Sequence, residues 1–171
     1  MKKFRFAILG AGHIARQFCD AVLRIDGCEV CAVASKSLER AENFAKENGV
    51  ESYYDDYETL LEKEKPDCAY IAVTPNDHYR LSVLCVNNNV PVLCEKAMFQ
   101  NSEEAKNLYT LASEKKIFIW KLCGVGIFLL CNRQNSWRPD LFLFHPPFCL
   151  LHSRKIPTPQ SFHNKNLFLT R

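Results

Sequence analysis

Short apolar runs alternate with helically spaced apolar residues along the first 118 positions of the chain. Each run has the length of a strand, and its unbroken apolar character is typical of a strand buried on both faces of a sheet. The runs are residues 4–9, 30–34, 68–73, 90–94 and 117–119. The pattern therefore predicts five strands.

Helical patterns occupy the segments between these runs. Apolar side chains recur every three or four residues from Ile14 to Ile25, which predicts a first helix. Ser37 and Gly49 are suitable start and stop residues for a second helix. The other predicted helices are a short one through Leu60 and Leu61 after a turn at 53–56, one between 74–77 and 87–89, and one at Ser102–Lys115.

Strands that alternate with helices of this length form right-handed βαβ units. We therefore predict an α/β fold over residues 1–118, a doubly wound parallel sheet of the Rossmann, dinucleotide-binding type. The 171 residues make up one domain of ordinary size. No apolar run reaches the roughly 18 residues that a membrane-spanning helix needs, so we expect no membrane partner.

A glycine motif, Gly10-x-Gly12-x-x-Ala15, lies directly between the first strand and the first helix. Such a motif needs Gly10 for a sharp turn and Gly12 so that the backbone can approach a pyrophosphate. A small residue at Ala15 allows the helix to pack closely on the strand, and the helix N-terminus attracts the anion. The motif predicts dinucleotide binding; a tight turn without a ligand is the alternative.

The end of the second strand indicates which dinucleotide is bound. An acid at this place binds the ribose 2′-hydroxyl of NAD, whereas a cation accommodates the 2′-phosphate of NADP. The chain has Ser35 and Lys36 there, with Arg40 one helical turn on, and no carboxylate competes before Glu39. We predict NADP, with NAD as the alternative; a solvated helix start would also explain Lys36 and Arg40.

Two polar motifs follow the next two strands, at the sheet edge where open α/β sheets bind ligands. The first motif is Thr74, Pro75, Asn76, Asp77 and His78, and the second is Glu95 and Lys96. In the first, Pro75 fixes the turn, and Asn76 and His78 can contact a ribose or nicotinamide. A residue at the surface without a ligand is the alternative for His78. In the second, the lysine can polarise a substrate oxygen while the acid tunes its charge; an exposed ion pair is the alternative.

Other kinds of chemistry have little support in the sequence. The nine cysteines are an odd number and are scattered through predicted strands and helices, which favours a reducing, cytoplasmic compartment over a disulfide framework. Cys28-x-x-Cys31 has no second ligand pair of the kind that structural zinc requires, so we expect no metal and assign Cys31 to packing. Residues 1–118 contain no stripe of basic and aromatic side chains, so we expect no nucleic-acid partner.

In this order, the four sites resemble those of the Gfo/Idh/MocA oxidoreductases, most closely the branch that contains dihydrodiol and D-xylose dehydrogenases. The matching stretches, AILGAGHIA, AVASKSLERAENFA, YIAVTPNDHY and VLCEKAMFQNSEEAKNL, cover about residues 3–118. The resemblance implies that a pyrophosphate lies against Gly10, Gly12, His13 and Ile14, the adenosine ribose near Ser35, Lys36 and Arg40, and the nicotinamide side near Thr74, Pro75, Asn76 and His78. It also places Lys96 where the family has the lysine that assists hydride transfer, although Ala97 replaces the usual proline.

Residues 119–171 differ in composition from the rest of the chain. The first 118 residues hold 18 of the 19 acidic residues and carry a net charge of −3, whereas the last 53 carry +6 and five of the eight prolines. We predict an irregular, disordered tail here in place of the α/β substrate domain that the resemblance implies, and we expect the family's usual homo-oligomer interface to be missing with it.

A change of reading frame near codon 119 is our hypothesis for this tail. Back-translation of residues 119–139 in a shifted frame permits MEAMWSRYFPAVQQAKQLEA, which matches the continuation typical of the dihydrodiol branch. A genuine, divergent tail with its own partner is the alternative.

The sequence therefore predicts the cofactor half of an NADP-dependent oxidoreductase. Hydride would pass between the nicotinamide and a sugar, polyol or dihydrodiol, and this chain alone would be inactive because it lacks the substrate wall. The alternative from another class is a catalytically silent nucleotide sensor or interaction module. That module would dock a partner through an apolar patch at Phe142, Phe144, Phe148 and Leu151.

Overall fold

A parallel sheet forms the centre of the fold. The computed structural model describes residues 2–123 and 126–131, with side chains described up to residue 122. Six strands lie parallel in the order β3-β2-β1-β4-β5-β6, and β7 pairs antiparallel with β6. The strands are β1 Phe4–Leu9, β2 Cys28–Ala34, β3 Ser52–Tyr54, β4 Cys68–Ile71, β5 Val92–Cys94, β6 Ile119–Cys123 and β7 Gly126–Cys131.

Helices connect consecutive parallel strands, as the sequence predicts. They are α1 His13–Val22, α2 Leu38–Asn48, α3 Tyr57–Glu64, α4 Pro75–Asn87 and α5 Ser102–Lys115. Local capping explains where α2 begins and ends. The Ser37 side chain accepts a hydrogen bond from the Arg40 amide, and Gly49 ends the helix in the left-handed conformation at φ 67°. The predicted Rossmann fold is confirmed.

The helices cover both faces of the sheet, because successive strand residues point in opposite directions. Ala7 and Leu9 of β1 belong to the core cluster that α3, α4 and α5 complete. Phe6 points the other way, towards Phe18 of α1, with ring centroids 5.4 Å apart. Tyr70 of β4 lies on that same face and stacks on Phe18 at 3.8 Å.

The structure differs from the sequence prediction at two segments. Tyr53 and Tyr54, which we predicted as the first half of a turn, belong to the short strand β3, because pairing with β2 in the register Ala32↔Ser52 extends the backbone. Residues 119–123 and 126–131 form strands although we predicted an irregular tail. Their local sequence carries no periodic signal, but the edge of β5 offers unpaired backbone groups, and Val92 of β5 pairs with Ile119 of β6.

The predicted apolar patch of the tail lies outside the described residues. None of the described helices is long and apolar enough to cross a membrane.

The order of strands reverses between β1 and β4, and this reversal creates a crevice at their carboxyl ends. Backbone hydrogen bonds join the loops that leave these ends. The Gly10 amide donates to the Ala34 oxygen at 2.8 Å, and the Ala72 amide donates to the Leu9 oxygen at 2.8 Å. The Glu95 amide donates to Ile71 of β4 at 3.0 Å. The four loops singled out from the sequence therefore meet at one edge.

Burial of Ile119 makes β6 a structural part of the domain. Its side chain is fully buried in the core cluster, whereas Ile117 is only partly buried. We expect Ile119→Ala to lower the free energy of unfolding by about 2–4 kcal/mol, and the control Ile117→Ala to cost clearly less. Urea denaturation of the full chain measures both. Equal, small losses would show that residue 119 lies outside the folded core.

Candidate functional site

The loop after β1 is shaped by a close backbone approach at Gly10. Its φ is +112°, and a Cβ at this position would lie 2.6 Å from the Ala72 oxygen. The backbone of the loop after β4 therefore fills the space that any other side chain would need. Glycine is required here by the protein itself.

Gly12 is different, because the protein does not require a glycine there. Its φ is −102°, an ordinary extended value, and a Cβ would meet no protein atom within 4 Å. It precedes α1 as the N-cap residue without any side-chain cap. His13 and Ile14, the first residues of α1, are exposed, while Ala15 is fully buried against the sheet. The first turn of α1 thus presents uncapped amides at the edge, as an anion site does.

The end of β2 carries the predicted adenosine-side residues. Ser35 is 5% exposed and its amide donates to the Tyr54 oxygen at 3.1 Å. Arg40 is exposed on the first turn of α2 and forms no ion pair with any described residue. Its guanidinium is available to a ligand.

Lys36 is already paired, which the sequence did not predict. Its ammonium lies 2.7 Å from a carboxylate oxygen of Asp77, so a carboxylate from a distant part of the chain reaches the β2 end although none precedes Glu39 locally. Asp77 is 41 positions away along the chain and reaches Lys36 because α4 begins beside the crevice. Arg80 lies 3.4 Å from the other oxygen of the same carboxylate.

The two cations stabilise the charged form of Asp77. The hydrogen bond and charge of Lys36, with the charge of Arg80, hold the pKa of Asp77 below its usual range despite partial burial. A depressed pKa in the folded state contributes stability above the unfolded-state pKa, and this contribution is lost as the pH falls through the folded-state pKa. Because Lys36 is largely exposed, solvent screening keeps the contribution small.

The loop after β4 places three predicted residues at the surface. Thr74 is the N-cap of α4, Pro75 its first residue, and both are exposed beside Asn76. The Asn76 side-chain oxygen accepts a hydrogen bond from the side-chain nitrogen of Gln100 at 3.0 Å. Asn76 is therefore held in place by the segment after β5, with its amide group left as a donor.

His78 does not occupy the position we predicted from the sequence. Its side chain is fully buried, so it offers no ring nitrogen to a cofactor. Nδ1 lies 2.7 Å from the Ala97 oxygen, and Nε2 lies 2.9 Å from the Val73 oxygen. The ring instead joins the loop after β4 to the loop after β5.

Glu95 and Lys96 follow β5 at the same edge. Lys96 is exposed, and no ion pair joins its ammonium to any described carboxylate. The Glu95 carboxylate is turned away from that ammonium and accepts a hydrogen bond from the Tyr70 hydroxyl at 2.8 Å. Its other oxygen accepts from the Lys96 amide at 3.3 Å. The alternative interpretation, an exposed ion pair between Glu95 and Lys96, is therefore not what the geometry shows.

Cys31 packs inside the domain, as we predicted. It lies in β2 at the point where the register with β1 shifts, and its thiol donates to the Phe6 oxygen at 3.2 Å. Burial raises the pKa of the Cys31 thiol to about 11. Among residues 2–123 and 126–131, no group of three His, Cys, Asp or Glu side chains is arranged to hold a metal ion.

Comparison with known proteins identifies the domain that carries this edge. A family model described as the Gfo/Idh/MocA oxidoreductase family, NAD-binding Rossmann fold, matches residues 4–121. The chain belongs to the Gfo/Idh/MocA family. The match includes all four loops of the candidate site.

Curated relatives in this family are about three times as long as the matched segment. Trans-1,2-dihydrobenzene-1,2-diol dehydrogenase of Mus musculus is 33% identical over 117 residues, which cover 67% of this chain and 35% of the relative. An uncharacterised oxidoreductase, YgjR, of Escherichia coli K12 is 31% identical over 117 residues, covering 68% and 36%. The chain thus spans about a third of these relatives.

Solved structures share the fold of the domain. An oxidoreductase from Agrobacterium radiobacter, in complex with NAD+, L-tartaric acid and magnesium, superposes with a TM-score of 0.67 at 22% identity, over 70% of this chain and 35% of that one. A mutant of the 3-ketoreductase KijD10 from Actinomadura kijaniata, in complex with TDP-benzene and NADP, has a TM-score of 0.66 at 24% identity, over 71% and 38%. The first of these two structures holds NAD+ and the second holds NADP.

Three residues of this Gfo/Idh/MocA site were missed by sequence reasoning. Asp77 stands inside a motif that we singled out, but nothing local indicates its contact with Lys36. Tyr70 has the pattern of an ordinary buried strand residue, and Gln100 has no distinguishing signal. All three act through contacts between segments that are distant in the chain.

Substitution of Gly10 and of Gly12 should change the stability of the fold by different amounts. Gly10→Ala forces a Cβ against the Ala72 carbonyl at an unfavourable φ, and we expect a loss of about 3 kcal/mol in the free energy of unfolding. Gly12→Ala, the matched control, changes that free energy by less than about 1 kcal/mol because its backbone suits any residue. Thermal and urea unfolding measure both. Equal losses would contradict this account of the loop.

Proposed function

We propose that this chain is the cofactor half of an NADP-dependent oxidoreductase, in which hydride passes between nicotinamide C4 and a carbon bearing a hydroxyl or carbonyl. The observation that carries the proposal is the joining of the glycine loop and the Lys96 loop at one sheet edge by the hydrogen bonds around Ala72 and Ile71. The substrate class is a sugar, polyol or dihydrodiol, which the similarity to a dihydrodiol dehydrogenase supports.

The residues at this edge fit a dinucleotide. Gly12 leaves the first turn of α1 accessible, and the uncapped amides of His13 and Ile14 can donate to a pyrophosphate. Ala15 brings α1 close to the sheet, and Asn76 offers an amide on the nicotinamide side. When bound, the nicotinamide would supply the hydride chemistry, and the protein would supply orientation.

Arg40 supports NADP over NAD. A 2′-phosphate carries about two negative charges and binds best to a guanidinium that is not already neutralised. Arg40 meets this condition, with Ser35 and Lys36 alongside, while Asp77 occupies one side of Lys36. Asp77 is also a carboxylate beside Lys36 at the β2 end that an NAD ribose could use, so NAD is the alternative.

Lys96 is the proposed catalytic residue. Its exposed ammonium at the carboxyl end of β5 can donate a hydrogen bond to a substrate oxygen on which negative charge develops or from which a proton leaves. Glu95 contributes by holding the backbone of Lys96 through the amide contact at 3.3 Å. Both residues also line the proposed nicotinamide side.

Residues 119–171 bear on the activity of this chain. We propose that residues 1–118 carry all four loops of the cofactor site, with β6 completing the sheet behind them, and that a change of reading frame near codon 119 produced the residues that follow. We expect little or no turnover from these 171 residues tested alone, because orienting the reacting carbon and excluding water need a substrate-binding surface besides the cofactor edge.

Cofactor binding by the full chain tests the proposal. We expect NADPH to bind at least about tenfold more tightly than NADH, and Arg40→Ala to remove most of this difference, because a charge-assisted contact to phosphate contributes roughly 1.5–3 kcal/mol. Fluorescence titration of the reduced nicotinamide measures both affinities.

Gly12→Trp is the control for the location of the site. The large side chain should abolish binding of both nucleotides while the chain stays folded, as checked by circular dichroism. Binding that survives Gly12→Trp, or no binding by the wild-type chain, would refute the proposed cofactor site. Equal affinities for NADPH and NADH in the wild type would instead refute only the NADP assignment.

A further inference from the structure

We propose that Tyr70 and His78 are positioning residues that hold the loop of residues 95–97, and hence Lys96, from opposite faces of the sheet. The inference rests on the proposed function, because it treats Lys96 and the nicotinamide as the groups that must be aligned. Neither Tyr70 nor His78 touches the crevice itself, since their side chains are 1% and 0% exposed.

Tyr70 holds the loop from the face that α1 covers. Its ring is fixed by stacking on Phe18, and its hydroxyl donates to Glu95 Oε1 at 2.8 Å. Burial, together with the neighbouring Glu95 carboxylate, raises the pKa of the Tyr70 hydroxyl well above its usual range. The hydroxyl therefore stays protonated and remains a donor. Glu95 passes this constraint to the next residue, because Oε2 accepts from the Lys96 amide at 3.3 Å.

His78 holds the same loop from the face that α4 covers. Its Nδ1 lies 2.7 Å from the Ala97 oxygen and its Nε2 lies 2.9 Å from the Val73 oxygen. A carbonyl oxygen can only accept, so the ring nitrogen that carries the hydrogen donates to the carbonyl it faces, and at Nδ1 that carbonyl belongs to the loop of residues 95–97. The histidine backbone is fixed in turn, because the Ser82 hydroxyl donates to the His78 oxygen at 2.7 Å.

The two contacts restrain the residues on either side of Lys96. One acts on the carboxylate of residue 95 and the other on the carbonyl of residue 97, while the Lys96 side chain stays exposed. These restraints narrow the range of positions open to the Lys96 ammonium, although neither contact involves the ammonium itself. This is the arrangement expected of residues that support a catalytic group from behind.

Tyr70→Phe tests the proposal, because it removes one hydroxyl and leaves the stacking on Phe18 in place. Tyr54→Phe is the matched control, since the Tyr54 hydroxyl also donates to a carboxylate, that of Glu64, at 2.7 Å but in the edge strand β3. The probes are NADPH and 2′,5′-ADP, which lacks the nicotinamide half. We expect Tyr70→Phe to weaken NADPH binding about fivefold and 2′,5′-ADP binding less than twofold, the size of one lost hydrogen bond. Tyr54→Phe should change neither.

A parallel loss of both ligands in Tyr70→Phe would show a general structural role and overturn the proposal. Unchanged NADPH affinity would overturn it as well.

A second measurement does not depend on any cofactor. Amide hydrogen exchange at Glu95 and Lys96 should be about fivefold faster in Tyr70→Phe than in the wild type or Tyr54→Phe. Long-range proton–nitrogen NMR spectra of the wild-type chain should show a hydrogen on His78 Nδ1, the nitrogen that faces the Ala97 oxygen. Unchanged exchange, or an Nδ1 without a hydrogen, would overturn the proposal. Should the wild-type chain bind neither NADPH nor 2′,5′-ADP, the proposed function fails, and the exchange rates still decide whether the loop is held.

Discussion

The close approach of the loop after β1 to the loop after β4 is the constraint on which the candidate site depends. A Cβ at Gly10 would lie 2.6 Å from the Ala72 oxygen, so only glycine lets these two backbones meet. Hydrogen bonds then join the neighbouring segments to this contact: the Gly10 amide donates to Ala34 at the end of β2, and the Glu95 amide, after β5, donates to Ile71 at the end of β4. Because parallel strands all end at one edge, a single tight turn aligns every loop that carries candidate chemistry.

Buried side chains turn this edge into a defined site. The Tyr70 hydroxyl, in strand β4, donates to the Glu95 carboxylate, and the His78 ring, in α4, contacts the carbonyl oxygens of Val73 and Ala97. The groups offered to a ligand, namely the first amides of α1, the Arg40 guanidinium and the Lys96 ammonium, are exposed but attached to restrained backbone. This division between buried supports and exposed chemical groups is what precise orientation of a cofactor requires.

The sequence was informative where a local signal determines the structure. The apolar runs predicted five strands, and Ser37 and Gly49 predicted the ends of α2, because capping and strand burial depend on neighbours in the chain. It was uninformative where distant partners decide. Lys36 could be assigned to the β2 end, but its pairing with Asp77 depends on the packing of α4. The run at 117–119 indicated that a strand begins here, but β6 continues to Cys123 because β5 offers an unpaired edge, which no pattern within residues 120–123 reveals.

The central claim is that a dinucleotide binds at the carboxyl edge of the sheet. Two-dimensional proton–nitrogen spectra of the full chain, recorded during a titration with NADP+, test this claim most directly. The account predicts that the perturbed amides cluster in residues 10–15, 35–40, 74–76 and 95–97. Unperturbed spectra, or changes confined to the opposite end of the sheet around Lys65 and Asn88, would contradict it.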